Sequence, residues 1–259
     1  MRMSVMNAAV VAGALTVLLP VTSSAKRVGE PFHWTGAIPQ GKTLKIRGVN
    51  GQIHAVLGSG ARAVVDAQKW GRRSDPDEVL IEMHEEGDDV TICARYPKRW
   101  GGLTDCNSNA RGARGDVHVD FTVQIPAGVG AAFANVNGGI RAEGLQSRVR
   151  AATVNGSVRI ETTEPAEAKT VNGSIVARMR PRPGGDLDFA SVNGSIRVEI
   201  PADANARVEA ATVNGSISSD FPVTIRGRWI GRRLQGTIGN GGPDIEMATV
   251  NGSISLRAL

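Results

Sequence analysis

Aromatic residues are scarce in this chain: five Phe, four Trp and one Tyr among 259 residues. Any core must therefore be built from Val, Ile and Ala instead of rings. Long apolar runs are missing beyond the first twenty residues, so nothing later in the chain approaches the ~20 residues of a membrane-spanning helix. A large excess of one charge is also missing. The formal net charge is only +5, which is not the footprint of a nucleic-acid binder. Few segments show helical spacing. The four histidines, His33, His54, His84 and His118, have no metal-ligand spacing, and pairing the two cysteines leaves zinc no ligand set. No cofactor or metal is expected. G-x-S-x-G elbows and Walker-type loops are absent as well.

What the chain does have is glycine, 32 residues of it, and a 41% hydrophobic share. The glycine content is nearly twice the average of roughly 7% and favours a turn-rich β protein. The apolar share excludes a disordered chain. At the N-terminus, Arg2 precedes an apolar run from Ala8 to Leu19. Pro20 follows, and Ser23-Ser24-Ala25 supplies small residues for cleavage. This reads as a secretory signal over residues 1–25. Losing Arg2 from the total of +5 would leave a mature chain at +4. Cys93 and Cys106 are then an even count in an oxidising compartment, and a disulfide is the default. Closing that loop contributes ~3 kcal/mol in the chain-entropy model. The spacing lacks the close C-x-x-C of thiol oxidoreductases.

The organising feature is a repeat. Val-Asn-Gly recurs at Val49, Val136, Val154, Val171, Val192, Val213 and Val250, and five copies continue as Ser plus Ile or Val. From Asn137 onward the asparagines are spaced 18, 17, 21, 21 and 37 apart, and a degenerate copy, Ile238-Gly239-Asn240-Gly241, lies inside the last gap. Around each copy the residues alternate with period two, as half-buried strands do. Read this way, Ala, Val, Gly and Ile share the inner face. Thr, Asn and Ser share the outer one.

Asn-Gly is also the signal for a tight hairpin, so an antiparallel meander competes with a solenoid of stacked coils. The near-constant spacing, and a phase that continues through Asn-Gly, favour the solenoid. The fold class expected is all-β, a β-solenoid with coils of about 17–21 residues. Residues 26–116 form an irregular N-terminal β portion, with short runs at Leu44–Arg47, Ala63–Ala67, Val79–Met83 and Val90–Cys93 and a Gly- and Arg-rich loop over 94–116. Residues 117–259 form the repeats, continuous with it and capped by the final copy.

The repeated Val-Asn-Gly-Ser-Ile resembles the bacterial "putative adhesin" β-strand-repeat family, a domain of unknown function. Val123-Gln124-Ile125-Pro126-Ala127-Gly128-Val129 resembles that family's lead into its repeats. The stretch from Gly236 to Ile245 resembles its glycine-rich penultimate coil. The resemblance covers roughly residues 40–259. It implies an elongated β-solenoid and an exported or envelope-facing location, in the periplasm or at the cell surface. It carries over no active site.

Two binding candidates stand out. One is the outward polar column, represented by Thr212, Asn214 and Ser216, which would offer hydroxyls and amides to a polymeric glycan or would simply build the ladder between coils. The other is the basic segment Arg226, Arg228, Trp229, Arg232 and Arg233, suited to anionic polymers through charge and stacking. The acidic cluster Glu82, Glu85, Glu86, Asp88 and Asp89 falls mostly in a predicted turn. No two repeats offer matched carboxylates. The expected function is therefore an exported, non-catalytic, adhesin-like binding or scaffold protein of the envelope. Its partner would be a glycan, an anionic polymer or an envelope protein. The alternative is a carbohydrate-active enzyme on a β-helix scaffold.

Overall fold

The structure, a computed structural model, describes residues 26–106, 112–180, 184–226 and 231–259. The expected signal segment lies outside the described residues. Two eleven-stranded sheets face each other across one apolar core. Each repeat is a rung: a strand in the first sheet leads into Val-Asn-Gly, the chain turns a corner, and the next strand continues in the second sheet. Val149–Asn155 followed by Val158–Thr162 is one rung, and Ala166–Asn172 followed by Ile175–Met179 is the next. Successive rungs pair in parallel with their asparagines in register, Asn155 opposite Asn172 and Asn172 opposite Asn193. This stacking settles the choice between meander and solenoid. The corner glycines 156, 173, 194, 215 and 252 do not take the positive φ that a two-residue hairpin needs.

Parallel pairing suits these sequences because both sheets bury one face. The Asn155 rung turns Val149 and Ala151 inward from one sheet and Val158 and Ile160 from the other, all fully or almost fully buried. Each Val or Ile so placed contributes about 1.5–3 kcal/mol. Ala151, Ala166 and Ala168 face the core from the first sheet in the Asn155 and Asn172 rungs, and the rungs on either side set the larger Phe133 and Phe189 directly beside Ala151 and Ala168.

The order of rungs departs from the expectation. In space they run Asn50, Asn137, Asn155, Asn172, Asn193, Asn251, Asn214, so the last repeat in sequence lies between the two before it. The Asn214 rung is the terminal one, and the final copy is not the cap. The reason is in the long gap. Residues Ile238–Gly241 are no degenerate coil: Arg232–Ile238 runs antiparallel to Ala206–Asn214 and covers its edge, with Thr224–Arg226 outside it. Gly239 and Gly241 then make a left-handed turn. The returning strand Asp244–Asn251 pairs in parallel with Ala206–Asn214 on one side and Leu187–Asn193 on the other.

The N-terminal portion supplies the opposite cap. Arg62–Gly71 pairs antiparallel with His118–Ile125 and with Phe32–Ala37, and Leu80–Glu86 pairs antiparallel with Asp89–Arg95. Glu82, Glu85 and Glu86 therefore lie on a strand, not in a turn. Asp88 and Asp89 are tied to Lys42 and Lys45 at 3.1 and 2.9 Å. The loop after residue 94 has more to fold around than its composition suggests. Tyr96 is fully buried, its hydroxyl donates to the Asn50 carbonyl at 3.2 Å, and its N–H donates to Thr104 Oγ1 at 2.9 Å. Burial pushes the Tyr96 phenol well above its ordinary pKa. A Cys93–Cys106 disulfide closes this loop, with Cα atoms 5.6 Å apart.

Candidate functional site

The repeat's corner decides which residues are free to bind anything. Thr153 and Val154 reverse the expected phase: Thr153 is buried and Val154 is exposed, while Asn155 and Ser157 remain outside and Val158 returns to the core. Two consecutive outward residues, Val and Asn, accompany the turn from one sheet to the other. The period-two pattern slips by one there.

The buried hydroxyls at the corner are each bonded. Thr153, Thr170, Ser191, Thr249 and Thr212 each donate to the corner-glycine carbonyl of the neighbouring rung, at 2.9–3.0 Å. Asn135 fills the same place in its own rung, donating to the Gly51 carbonyl at 2.7 Å. Glycine is required at the corner by close approach. A Cβ on Gly173 would collide with the Gly156 carbonyl, and one on Gly194 with the Gly173 carbonyl.

Outside, the asparagines form an unbroken ladder. Each amide Nδ2 donates to the Oδ1 of the adjacent rung at 2.8–2.9 Å, from Asn137 on Asn50 through to Asn214 on Asn251. The serines form a second, weaker ladder at 3.3–3.4 Å from backbone N–H to Oγ. Of the polar residues expected to face a ligand, Thr212 is thus misplaced, at 2% exposure with its hydroxyl on the Gly252 carbonyl. Asn214 and Ser216 are outward but bonded to Asn251 and Ser253, each at 2.9 Å.

The residues the sequence pattern assigned to the core are the exposed ones. Val154, Val171, Val192, Val250 and Val213 lie 39–46% exposed in one column across five rungs. Beside them run Ala152, Lys169, Ala190, Ala248 and Ala211. A contiguous apolar stripe of this kind is uncommon on a monomer's surface. At its far end it opens into a groove of about 670 Å³ floored by Ala190, Ala211, Ala248, Val213 and Val250 and walled by Gly231, Arg232 and Arg233.

The basic segment is therefore only partly placed at this groove. Arg232 and Arg233 sit opposite Thr212 and Ala211. Arg226 ends the outer strand opposite Arg233. Arg228 and Trp229 lie outside the described residues. Arg233 meets Glu209 at 3.7 Å with both side chains more than half exposed, a weak pair. Among the described residues Arg232 has no ion-pair partner.

Elsewhere on the same face the register overturns the expectation that no two repeats offer matched carboxylates. Glu167, Asp188, Glu246 and Glu209 stand opposite one another in successive rungs, because each lies five residues before its rung's asparagine. Lys169 lies 2.8 Å from both Asp188 and Glu167, and those hydrogen bonds, Asp188 first, hold its ammonium above the usual range. Arg207 holds Asp244 in a two-pronged contact at 2.7 and 3.2 Å. The histidines are also engaged. His33, His54 and His84 each meet a carboxylate, at 2.6, 3.2 and 3.2 Å, and His118 stacks on Trp70 with ring centroids 4.1 Å apart. Among the described residues no helix is long and apolar enough to cross a membrane.

The family model Toastrack DUF4097 matches residues 38–257. No curated protein matches the chain. Among solved structures it is similar to a "putative cell adhesion protein" from Clostridium sporogenes, at 10% identity and a TM-score of 0.48, over 89% of this chain and 100% of that one. It is also similar to a "putative adhesin" from Bacteroides fragilis, at 11% identity and a TM-score of 0.32, over 89% and 97% of the two chains. A third, a "putative adhesin" from Parabacteroides merdae, is 11% identical with a TM-score of 0.26, over 88% and 96%.

Proposed function

From the premise that this chain belongs to the Toastrack DUF4097 family, we propose that it is an exported, non-catalytic, adhesin-like binding protein of the cell envelope. Its binding end is the groove at Arg232 and Arg233, and its ligand is an anionic envelope polymer. One observation carries this reading: a guanidinium with no ion-pair partner among the described residues and a weakly paired one stand at the end of an exposed apolar stripe. Guanidinium groups bind carboxylates and phosphates in a planar, two-pronged manner. The Asn and Ser columns support a neutral glycan less well, because their amides and hydroxyls are already bonded to one another. The pairing of Glu167, Asp188 and Asp244 with Lys169 and Arg207 supports binding over glycoside hydrolysis, which needs one carboxyl kept protonated.

The test is co-sedimentation of the purified chain with whole envelopes and with isolated envelope glycans across a salt series, with soluble products assayed in parallel. The expected result is binding that weakens as salt rises and is lost when Arg232 and Arg233 both become Ala. Absence of binding to every preparation, or release of sugar products, contradicts the reading.

A further inference from the structure

Cys93, Cys106 and His84 are too irregularly spaced in sequence to suggest a metal site, yet the fold brings them together. The antiparallel pairing of Leu80–Glu86 with Asp89–Arg95 sets Glu82 opposite Cys93 and His84 opposite Thr91, so His84 is the diagonal neighbour of Cys93 on one face. The loop then returns over that face and delivers Cys106. One donor atom from each of His84, Cys93 and Cys106 lies within 4.8 Å of the other two. Tetrahedral zinc holds two thiolates and an imidazole roughly 3.5–3.8 Å apart, so small side-chain rotations complete the set.

We propose that reduction of the Cys93–Cys106 disulfide converts this corner into a Cys2His site for Zn2+. A thiol or phosphine reductant breaks the S–S bond, adding two electrons and two protons. Zinc binding then releases both protons as the sulfurs become thiolates. Cys93 is 1% exposed and His84 is on the surface, so the site is shielded on one side and open to an incoming ion on the other.

Glu82 completes the outer layer. It meets His84 Nε2 at 3.2 Å, which leaves Nδ1 as the ligand nitrogen, and it is anchored by Arg95 at 2.6 Å. Such a carboxylate fixes the tautomer and orientation of a metal-bound imidazole. With Glu82 engaged this way, the fourth position is left to water or an external ligand. Two soft sulfurs and an imidazole select zinc over magnesium or calcium. The disulfide and the metal are thus alternatives at one place, chosen by the redox state of the compartment.

The experiment compares the oxidised full chain with the same chain reduced anaerobically by a phosphine. Zinc is titrated against a chromophoric chelator, and Co2+ serves as the spectroscopic probe. The reduced chain is expected to bind one zinc, to melt at a higher temperature with zinc than without, and to show a thiolate-to-cobalt charge-transfer band. The oxidised chain is expected to do none of these. His84→Ala, a surface change that leaves the fold intact by circular dichroism, should weaken binding about tenfold or more, and Glu82→Gln about tenfold. A reduced chain that takes up no stoichiometric zinc overturns the proposal. So does one whose melting temperature is unmoved by zinc, or a His84→Ala variant that binds as tightly as the parent.

Discussion

The middle rungs and the two ends of this molecule are held together by different chemistry. Between Asn137 and Asn251 the same neutral bonds recur: amide to amide, hydroxyl to glycine carbonyl, and parallel backbone pairing. The middle adds only surface ion pairs such as Lys169 with Glu167 and Asp188. At the ends the repeated partners run out, and carboxylates take the free backbone N–H groups as well as cations. Asp116 gathers the N–H groups of Arg73 and Ser74 at 3.0 and 2.8 Å. Asp77 takes Lys69 and the Glu30 N–H, at 2.8 and 3.0 Å, and Asp220 takes Arg257 at 2.6 Å. Trp70 donates to Asp120 at 2.7 Å, and Tyr96 closes the loop over Asn50. A repeated sequence solves stacking once and copies the solution. Each end is a unique edge and needs its own charges and aromatics.

The largest effect expected from this contrast is at the corner glycines. Gly173→Ala forces a Cβ into the Gly156 carbonyl and should cost ~3 kcal/mol through overpacking. Gly60→Ala, at an exposed position with open space around it, should stay within about 0.5 kcal/mol. Urea melts of the two variants would measure the difference, and equal costs would mean the stack is looser than described. Next in size is Thr170→Val, which removes the hydroxyl from the Gly156 carbonyl and should cost ~1 kcal/mol in the same melts.

Acid should separate the regions without mutation. Backbone N–H donors, Ser74 first, hold Asp116 down at about 2 from 3.8. Asp77, Asp89 and Asp220 are also lowered, chiefly by Lys69, Lys45 and Arg257. A carboxyl lowered in the folded state stabilises it fully above the unfolded pKa. That contribution is lost as pH falls, for Asp116 from about 4 towards 2. All four lie outside the central rungs. Amide exchange at pH 5 and pH 2.5 should therefore show the end strands losing protection while Val149–Asn155 and Ala166–Asn172 keep theirs. Uniform loss would break the comparison.

Much of the middle was legible in the residues, and little of the ends. The period of Val-Asn-Gly carried the all-β class, the stacking and the rung length, because those residues bond to their own copies. The inward-outward phase was misread because Thr and Val have the same branched shape and β preference. The signal that separates them is that the position before Val is polar in every central rung, Asn135, Thr153, Thr170, Ser191 and Thr249, as a required hydrogen bond demands. The insertion of the last rung between its predecessors left no local trace, since parallel rungs accept either neighbour. The approach of His84 to the cysteines depends on strand register and loop return, which no spacing rule reports.

The central claim is that the repeat is scaffold and that the arginine-walled groove binds. Melting temperature and envelope co-sedimentation, measured together on Asn193→Ala and on Arg232→Ala, test it most directly. Asn193→Ala should lower the melting temperature and leave binding intact. Arg232→Ala should leave the melting temperature unchanged and weaken binding. An Asn193→Ala chain that melts like the parent but no longer sediments with envelopes would contradict the account.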